Sequence, residues 1–476
     1  MSESTTVQLR FPSIPGHTIR GEFDGGTMSS DFGPILLRGI DQQIGLTQRL
    51  SEAFDDKRHP SYIDHPLRDL FAQRIFQIAS GYEDGNDANN LRNDPMFQIG
   101  LNRVPQNEKS ALASSSTFSR LENAATRKDV YGIAKAFVDN FVVSYAKPPK
   151  RIVLDMDHSE DQTYGQQELS LFNGYYESNC YLPLFIFEGL SGKLITAVLR
   201  PGKRPTGEEN AMILKRILKT LRTAWPETHI ILRGDSHFSN PELMQLVLDD
   251  PKSDFIFGVG NNVALYRLAA PYIEQDRKSH QLRCNNAIIA HNALRDKEKP
   301  AKPLLPSSTE FYHEVEYAAE TWPQQFRVVI KAEVSTDSTH LRCVVTTFKQ
   351  PDPQIVYEAM YSARGQDENF IKMIKNDLHS DRTSDHTFLA NQMRLFFSCG
   401  AYVLLHSLRT ETLANTEFAN AQPITIILRL FKIAVRVIQY KDRIKLQLPS
   451  SCPVKHILHR MSEILFQVQR PIQNTG

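Results

Sequence analysis

The chain has 476 residues, of which 41% are hydrophobic and 23% charged, and its formal net charge is +1. This composition excludes a disordered or collagen-like chain, and the length suggests about two to four domains, or one domain elaborated by insertions. The near-zero charge carries no whole-chain signature of a nucleic-acid binder, although an acidic site can mask basic surface elsewhere.

The start, MSESTTVQLRFPS, has no basic stretch followed by an apolar block, so a cytoplasmic location is expected. The longest apolar stretch, FLANQMRLFFSCGAYVLLHSLR, contains Asn391, Gln392 and Arg394 and is therefore expected to be a buried core helix, with no membrane partner. The cysteines, at 180, 284, 343, 399 and 452, are scattered singly without a C-x-x-C pair. They predict buried thiols and support neither a zinc ribbon nor a disulfide framework.

Residues 1–148 read as a mainly helical region, with helical apolar spacing from Ile40 to about Asn123. Within it, SALASSSTFSRLENAA has the outline of a helix-turn-helix, with Thr117, Ser119 and Arg120 near the start of the reading helix and Arg120 a candidate DNA contact. An ordinary capped helix after a loop is the alternative. After Lys-Pro-Pro-Lys at 147–150 the texture changes to short apolar runs bounded by turn signals. RIVLDMD (151–157), YLPLFIFEG (181–189) and GKLITAVLR (192–200) read as strands, the last two as a hairpin. A helix follows, with Leu214, Ile217, Leu218 and Leu221 on one face. THIILRGDS (228–236) reads as a strand, NPELMQLVLDD (240–250) as a helix and DFIFGVG (254–260) as a strand. Three strands, a helix, a strand, a helix and a strand are the core order of a ribonuclease-H-like mixed α/β sheet, which would occupy 149–261. Residues 262–357 predict a β-rich insertion, opened by the helix-like VALYRLAAPYIEQ. The core resumes over 358–408, with its last catalytic helix. From 409 to 476 the chain turns basic, with Arg429, Lys432, Arg436, Lys441, Arg443 and Lys445 interleaved with apolar residues, as in a solvated face or a DNA-backbone contact.

The first strand ends in two acids, Asp155 and Asp157, whose spacing places both on one face of a sheet. A third acid, Asp235, follows an apolar strand and Gly234. In an open sheet the crevice at strand ends is where ligands bind. Facing carboxylates would repel and raise one pKa unless a cation sat between them. Oxygen donors without a cysteine or histidine cluster point to Mg²⁺ or Mn²⁺. In YSARGQDENFIKMIK (361–375), Tyr361, Arg364, Glu368 and Lys375 are spaced to project from one helix face. Such a stripe suits a surface holding both a metal ion and a phosphate chain; a solvated face with ion pairs is the alternative.

These residues carry a resemblance. Tyr361, Arg364, Glu368 and Lys375 fill the Y-x2-R-x3-E-x6-K signature of one group of DDE transposases of bacterial insertion sequences. The stretches LDMDHSEDQTYGQQELSLFNGYYESNCYLPLFIFEG, LRPGKRPTGEEN and ILRGDSHF resemble the insertion-sequence 1380 type within that group. The resemblance implies a nuclease that cuts the element's terminal inverted repeats and joins them to a target duplex. It implies two Mg²⁺ or Mn²⁺ ions held by Asp157, Asp235 and Glu368, with Asp155 the alternative first acid. It also implies DNA contacts through Tyr361, Arg364 and Lys375, with Lys203 and Arg204 of LRPGKRPTGEEN as further candidates, and a homodimer in the synaptic complex. A haloacid-dehalogenase-type phosphatase is a rival, because VLDMD and RGDS resemble motifs of that fold, but it predicts an acid where Ser239 stands. A transposase descendant that binds DNA without cutting it is a second rival.

Overall fold

The structure is a computed structural model in which residues 8–105, 107–294, 300 and 302–466 are described. The chain divides into two compact units. One takes residues up to Ala136, Gly165–Glu168 and the chain from Lys372 on; the other takes Phe137–Tyr164 and Leu169–Ile371.

The first unit is mainly helical. Its helices include Gly33–Ile44, Leu67–Ala79, Ser115–Ala124 and Phe388–Thr412. The last has 25 residues and is the one helix, among the described residues, long and apolar enough to cross a membrane, yet 83% of its apolar window is buried. Its Phe397 meets the ring of Phe71 at 5.3 Å, and the charge of its Arg394 is paired inside the unit, donating to Glu122 at 2.8 Å. Helix Ser115–Ala124 is preceded by a loop and a short turn at Glu108–Ser110, and exposed Arg120 donates to Thr117 Oγ1 at 3.2 Å. Part of the basic C-terminal region forms a hairpin, Val435–Gln439 with Ile444–Gln447. Lys432 is drawn inward, 2.7 Å from Asp31 and 3.7 Å above the Tyr82 ring, whereas Arg429, Arg436, Lys441, Arg443 and Lys445 are exposed.

The second unit is built on one eight-stranded mixed sheet. In chain order its strands are β1 (Arg151–His158), β2 (Leu184–Glu188), β3 (Lys193–Val198), β4 (His229–Gly234), β5 (Ser253–Val259), β6 (Thr309–Tyr317), β7 (Phe326–Val334) and β8 (Thr339–Thr346). They lie in the order β6-β7-β8-β5-β4-β1-β2-β3. Strands β1, β4 and β5 run parallel, while β2, β3 and β8 are antiparallel to their neighbours. The three strands of the expected β-rich insertion thus extend the main sheet, β8 pairing directly with β5. The helix that opens the insertion runs over Val263–Ala293, far past the VALYRLAAPYIEQ stretch.

Two faces cover the sheet. Ile152, Leu154 and Met156 of β1 pack with Leu214, Ile217, Leu218 and Leu221 of helix α1 (Gly207–Ala224) and with Leu243 and Met244 of helix α2 (Pro241–Leu248). Helix α1 starts in a capping box: Thr206 Oγ1 accepts from the Glu209 amide while the Glu209 carboxylate accepts from the Thr206 amide. On the opposite face, Ile256, Val329 and Val344 pack with Val356 and Tyr357 at the head of the helical segment that contains helix α3 (Gly365–Lys372).

That second face carries a buried ion pair. Arg233 of β4 lies opposite Asp155 of β1 in register and grips it with two bonds, Nε to Oδ1 at 2.5 Å and Nη2 to Oδ2 at 2.6 Å; both side chains are under 5% exposed. The Nη1 of Arg233 donates to the Met360 carbonyl, so one guanidinium ties β1, β4 and the segment leading to α3. Gly189 leaves room for the pair, since a Cβ there would stand 2.2 Å from Asp155 Oδ2 and 2.7 Å from Arg233 Nη2. Removing one partner strands a buried charge, which costs about 3–5 kcal/mol. Arg233→Met is therefore expected to lose about that much stability in chemical denaturation, and a loss under ~1 kcal/mol would contradict the role given to the pair.

Candidate active site

The register of β1 and β4 positions the site. The last paired residues are Met156 and Gly234, so Asp157 and Asp235 follow as neighbours where the two parallel strands end. Asp235 leaves the strand as the cap of a tight turn, Ser236–Phe238, accepting the His237 amide at 2.9 Å and His237 Nδ1 at 2.9 Å. Gly258 of the adjoining β5 makes space for that turn: a Cβ there would meet the Ser236 amide nitrogen at 3.1 Å and the Tyr361 hydroxyl at 2.7 Å. Tyr361 thus reaches the same strand ends.

Glu368 and Arg364 arrive on the helical segment, which is not uniform. It runs in wide π-type turns over Ile355–Tyr361, tightens to a 3₁₀ turn at Ser362–Arg364 and becomes α-helical at Gly365–Lys372. The even stripe expected of Tyr361, Arg364, Glu368 and Lys375 is therefore rephased between members. Irregular turns of this kind are frequent at functional sites. Arg364 Nη1 contacts Asp157 Oδ2 at 3.2 Å, and its Nη2 stands 4.0 Å from Glu368 Oε1. Asp157, Asp235, Arg364, Tyr361 and Glu368 all belong to the second unit; Lys375 lies in the turns after α3, Met373–Asp377, which belong to the first. Lys203 and Arg204 are exposed in the loop before α1.

The charges are unevenly balanced. Burial pushes the Asp157 carboxyl up to about 6, helped by the like charges of Asp235 and Glu368 and opposed by Arg364. For Asp235, burial acts upward but is outweighed by the bonds and charge of His237 and by Arg364, which hold it below the usual carboxylate range. The bond to Asp235 raises His237 above the ordinary imidazole value. Burial lowers His158 to about 3, and its ring stacks on Phe238 at 5.2 Å. Asp155 is pushed up by burial against the opposing pull of Arg233.

Two further residues escape sequence reasoning. Arg233 had a visible signal, a guanidinium in the apolar run IILRG, which demands a buried partner. Asp367 is fully buried beside Glu368 with no hydrogen bond to either oxygen, and burial with the charges of Asp155 and Asp157 raises it well above the carboxylate range. Nothing in its sequence position distinguishes it from an exposed helical acid.

Among the described residues, no three histidine, cysteine or acidic side chains already stand grouped as a metal cage. The donor chemistry nevertheless fits a hard divalent cation. Asp157, Asp235 and Glu368 are oxygen donors whose mutual repulsion is felt at Asp157, and Arg364 supplies the balancing positive charge in this structure.

The profile of a family described as Transposase DDE domain group 1 matches residues 11–470, nearly the whole chain. The chain belongs to that family. It is a transposase of the DDE class, and the acids at the ends of β1 and β4 and on α3 are read below in that light. No curated protein matches the sequence. Among solved structures it is similar to piggyBac transposase in a synaptic complex with hairpin DNA, at 11% identity and a TM-score of 0.39, over 79% of this chain and 74% of that one.

The raised Asp157 carboxyl sets a pH signature. The unfolded carboxyl titrates near its ordinary value of ~4. The folded one titrates near about 6, so the folded state binds the additional proton between those values and loses stability as pH rises through the window. Without divalent metal, Asp157→Asn is expected to match the wild type below pH ~4 and to exceed it by up to about 3 kcal/mol above pH ~7. A difference that does not grow with pH across that range would contradict the assignment.

Proposed function

We propose that this transposase cuts the ends of a bacterial insertion sequence and joins the freed 3′-hydroxyls to target DNA, with Asp157, Asp235 and Glu368 as its three catalytic carboxylates. The observation that carries the reading is the register of β1 and β4, which brings Asp157 beside Asp235, with Arg364 linking Asp157 to Glu368. The strand order β3-β2-β1-β4-β5, with β2 antiparallel and β1, β4 and β5 parallel, supports a ribonuclease-H-like core. Asp155 is read as structural because both its oxygens are engaged by Arg233. The filled Tyr-Arg-Glu-Lys spacing supports membership of that signature group, and the stretches around Asp157, LRPGKRPTGEEN and ILRGDSHF support the insertion-sequence 1380 type within it.

In this mechanism Asp157, Asp235 and Glu368 would hold two Mg²⁺ or Mn²⁺ ions, which would supply Lewis acidity to the attacking and leaving oxygens. The protein's own groups position the strand. Arg364, paired with Asp157 at 3.2 Å, presents a planar guanidinium suited to a phosphodiester. Tyr361, at the same strand ends, offers a ring and hydroxyl to the sugar or base beside the cut. The bond to Asp235 raises the His237 imidazole above its ordinary value and so favours positive charge at the rim, facing DNA. Arg120, Lys203, Arg204 and Lys375 are assigned to backbone contacts along the terminal repeat. Joining two ends in concert calls for a homodimer, acting on the chromosome in the bacterial cytoplasm.

The test is strand cleavage of DNA carrying the native element end, with Mg²⁺ or Mn²⁺. Asp235→Ala and Glu368→Ala are each expected to lose activity on the order of 10³-fold or more, while Asp155→Asn loses stability as well as activity. Undiminished cutting by Asp235→Ala or Glu368→Ala overturns the assignment.

A further inference from the structure

A hairpin beside the candidate active site exposes aromatic rings that no packing explains. Its strands, Leu171–Asn173 and Ser178–Tyr181, pair antiparallel, and the second also pairs with Asp161–Gln162, just past the end of β1. Phe172 is 66% exposed, Tyr175 85% and Tyr176 37%, with the two tyrosine rings 4.9 Å apart, edge to face. Isolated exposed rings are ordinary, but three on one short hairpin form a patch that marks an interaction site.

The hairpin is held in shape and in place. The Asn173 side-chain oxygen accepts the Tyr175 amide at 2.9 Å and the Tyr176 amide at 3.4 Å, folding the tip. The Asn173 amide nitrogen donates to the Gly202 carbonyl at 2.7 Å. Gly202 is pressed so closely on the hairpin that a Cβ there would stand 2.2 Å from the Cys180 carbonyl oxygen and 2.5 Å from that of Leu171. Exposed Lys203 and Arg204 follow immediately, so two cations flank the rings. Geometry ties the patch to the catalytic acids: the strand Asp161–Gln162 that pairs with the hairpin starts four residues past Asp157. The charge of Asp157 is also felt at the Tyr176 hydroxyl, which burial above all raises to about 12.

Aromatic faces interleaved with cations are the surface that binds single-stranded nucleic acid, in which every base has a face to stack and every link a phosphate. We infer that Phe172, Tyr175 and Tyr176 form a stacking platform for unpaired nucleobases next to the cut phosphodiester, with Lys203 and Arg204 holding the adjoining backbone. The ligand class is therefore single-stranded or locally unpaired DNA. The inference rests on the proposed function of the neighbouring acids, since a stacking surface serves a nuclease that must hold a strand open at its cut.

The test uses the full chain, without divalent metal, and an oligothymidine carrying one 2-aminopurine. Binding is followed by anisotropy and stacking by fluorescence quenching. The wild type should bind and quench. Phe172→Ala/Tyr175→Ala should bind ~10-fold or more weakly and lose the quenching at saturation, while Tyr175→Trp keeps it. Lys203→Gln/Arg204→Gln should weaken binding and flatten its salt dependence yet retain quenching at saturation. Far-ultraviolet circular dichroism and thermal melting confirm that each variant folds. Wild-type affinity and quenching in the folded Phe172→Ala/Tyr175→Ala protein would overturn the platform, as would failure of the wild type to bind the oligonucleotide. Cleavage of the native end by the wild type, measured separately, tells failure of the platform from failure of the transposase reading.

Discussion

The candidate active site depends on one buried guanidinium. Arg233 bonds both oxygens of Asp155 on the neighbouring strand and the carbonyl of Met360, which immediately precedes Tyr361. A bidentate, charge-assisted pair is directional as well as strong, so it fixes the register of β1 against β4, and the third bond holds the helical segment at Met360, just before its change of pitch. Register then decides everything at the surface. A slip of one residue would turn Asp157 to the other face of the sheet and separate it from Asp235. Burying two ions brings little net stability over apolar residues of equal size, and here the return is specificity of alignment.

Around that anchor the site collects more negative charge than the protein itself neutralises. Asp235 and Glu368 both repel the charge on Asp157, buried Asp367 is driven toward its neutral form, and Arg364 stands between Asp157 and Glu368. An arrangement of this kind is poised for added positive charge. Arg364 is held by those carboxylates, 3.2 Å from Asp157 and 4.0 Å from Glu368.

Much of this was readable from the residues. The apolar runs of β1, β2, β3, β4 and β5 and the stripe Leu214, Ile217, Leu218 and Leu221 appear as strands and a helix because their periodicity is local. Other features depend on long-range pairing. That β6, β7 and β8 extend the main sheet follows from the free edge of β5, which no local signal reveals. The far part of the helix Val263–Ala293, past VALYRLAAPYIEQ, is not legible because its mixed surface lacks a clear apolar stripe. Asp155 and Asp157 share a face at period two, so alternation cannot tell them apart. The residue opposite does, Arg233 across from Asp155, and that pairing is a tertiary fact. The signature Tyr361, Arg364 and Glu368 was visible as a spacing, but the change of pitch at Ser362–Arg364 that aims each side chain was not.

The central claim is that Asp157, Asp235 and Glu368 together form the divalent-cation centre. Loading the protein with Fe²⁺ in place of Mg²⁺ and adding ascorbate and peroxide generates hydroxyl radicals at the bound metal, which cut the polypeptide nearby. The account predicts scission at three separated places, the end of β1, the turn after β4 and the start of α3, suppressed by excess Mg²⁺ and lost in Asp157→Asn. Metal-dependent cuts confined to other parts of the chain, or an unchanged pattern in that variant, would contradict it.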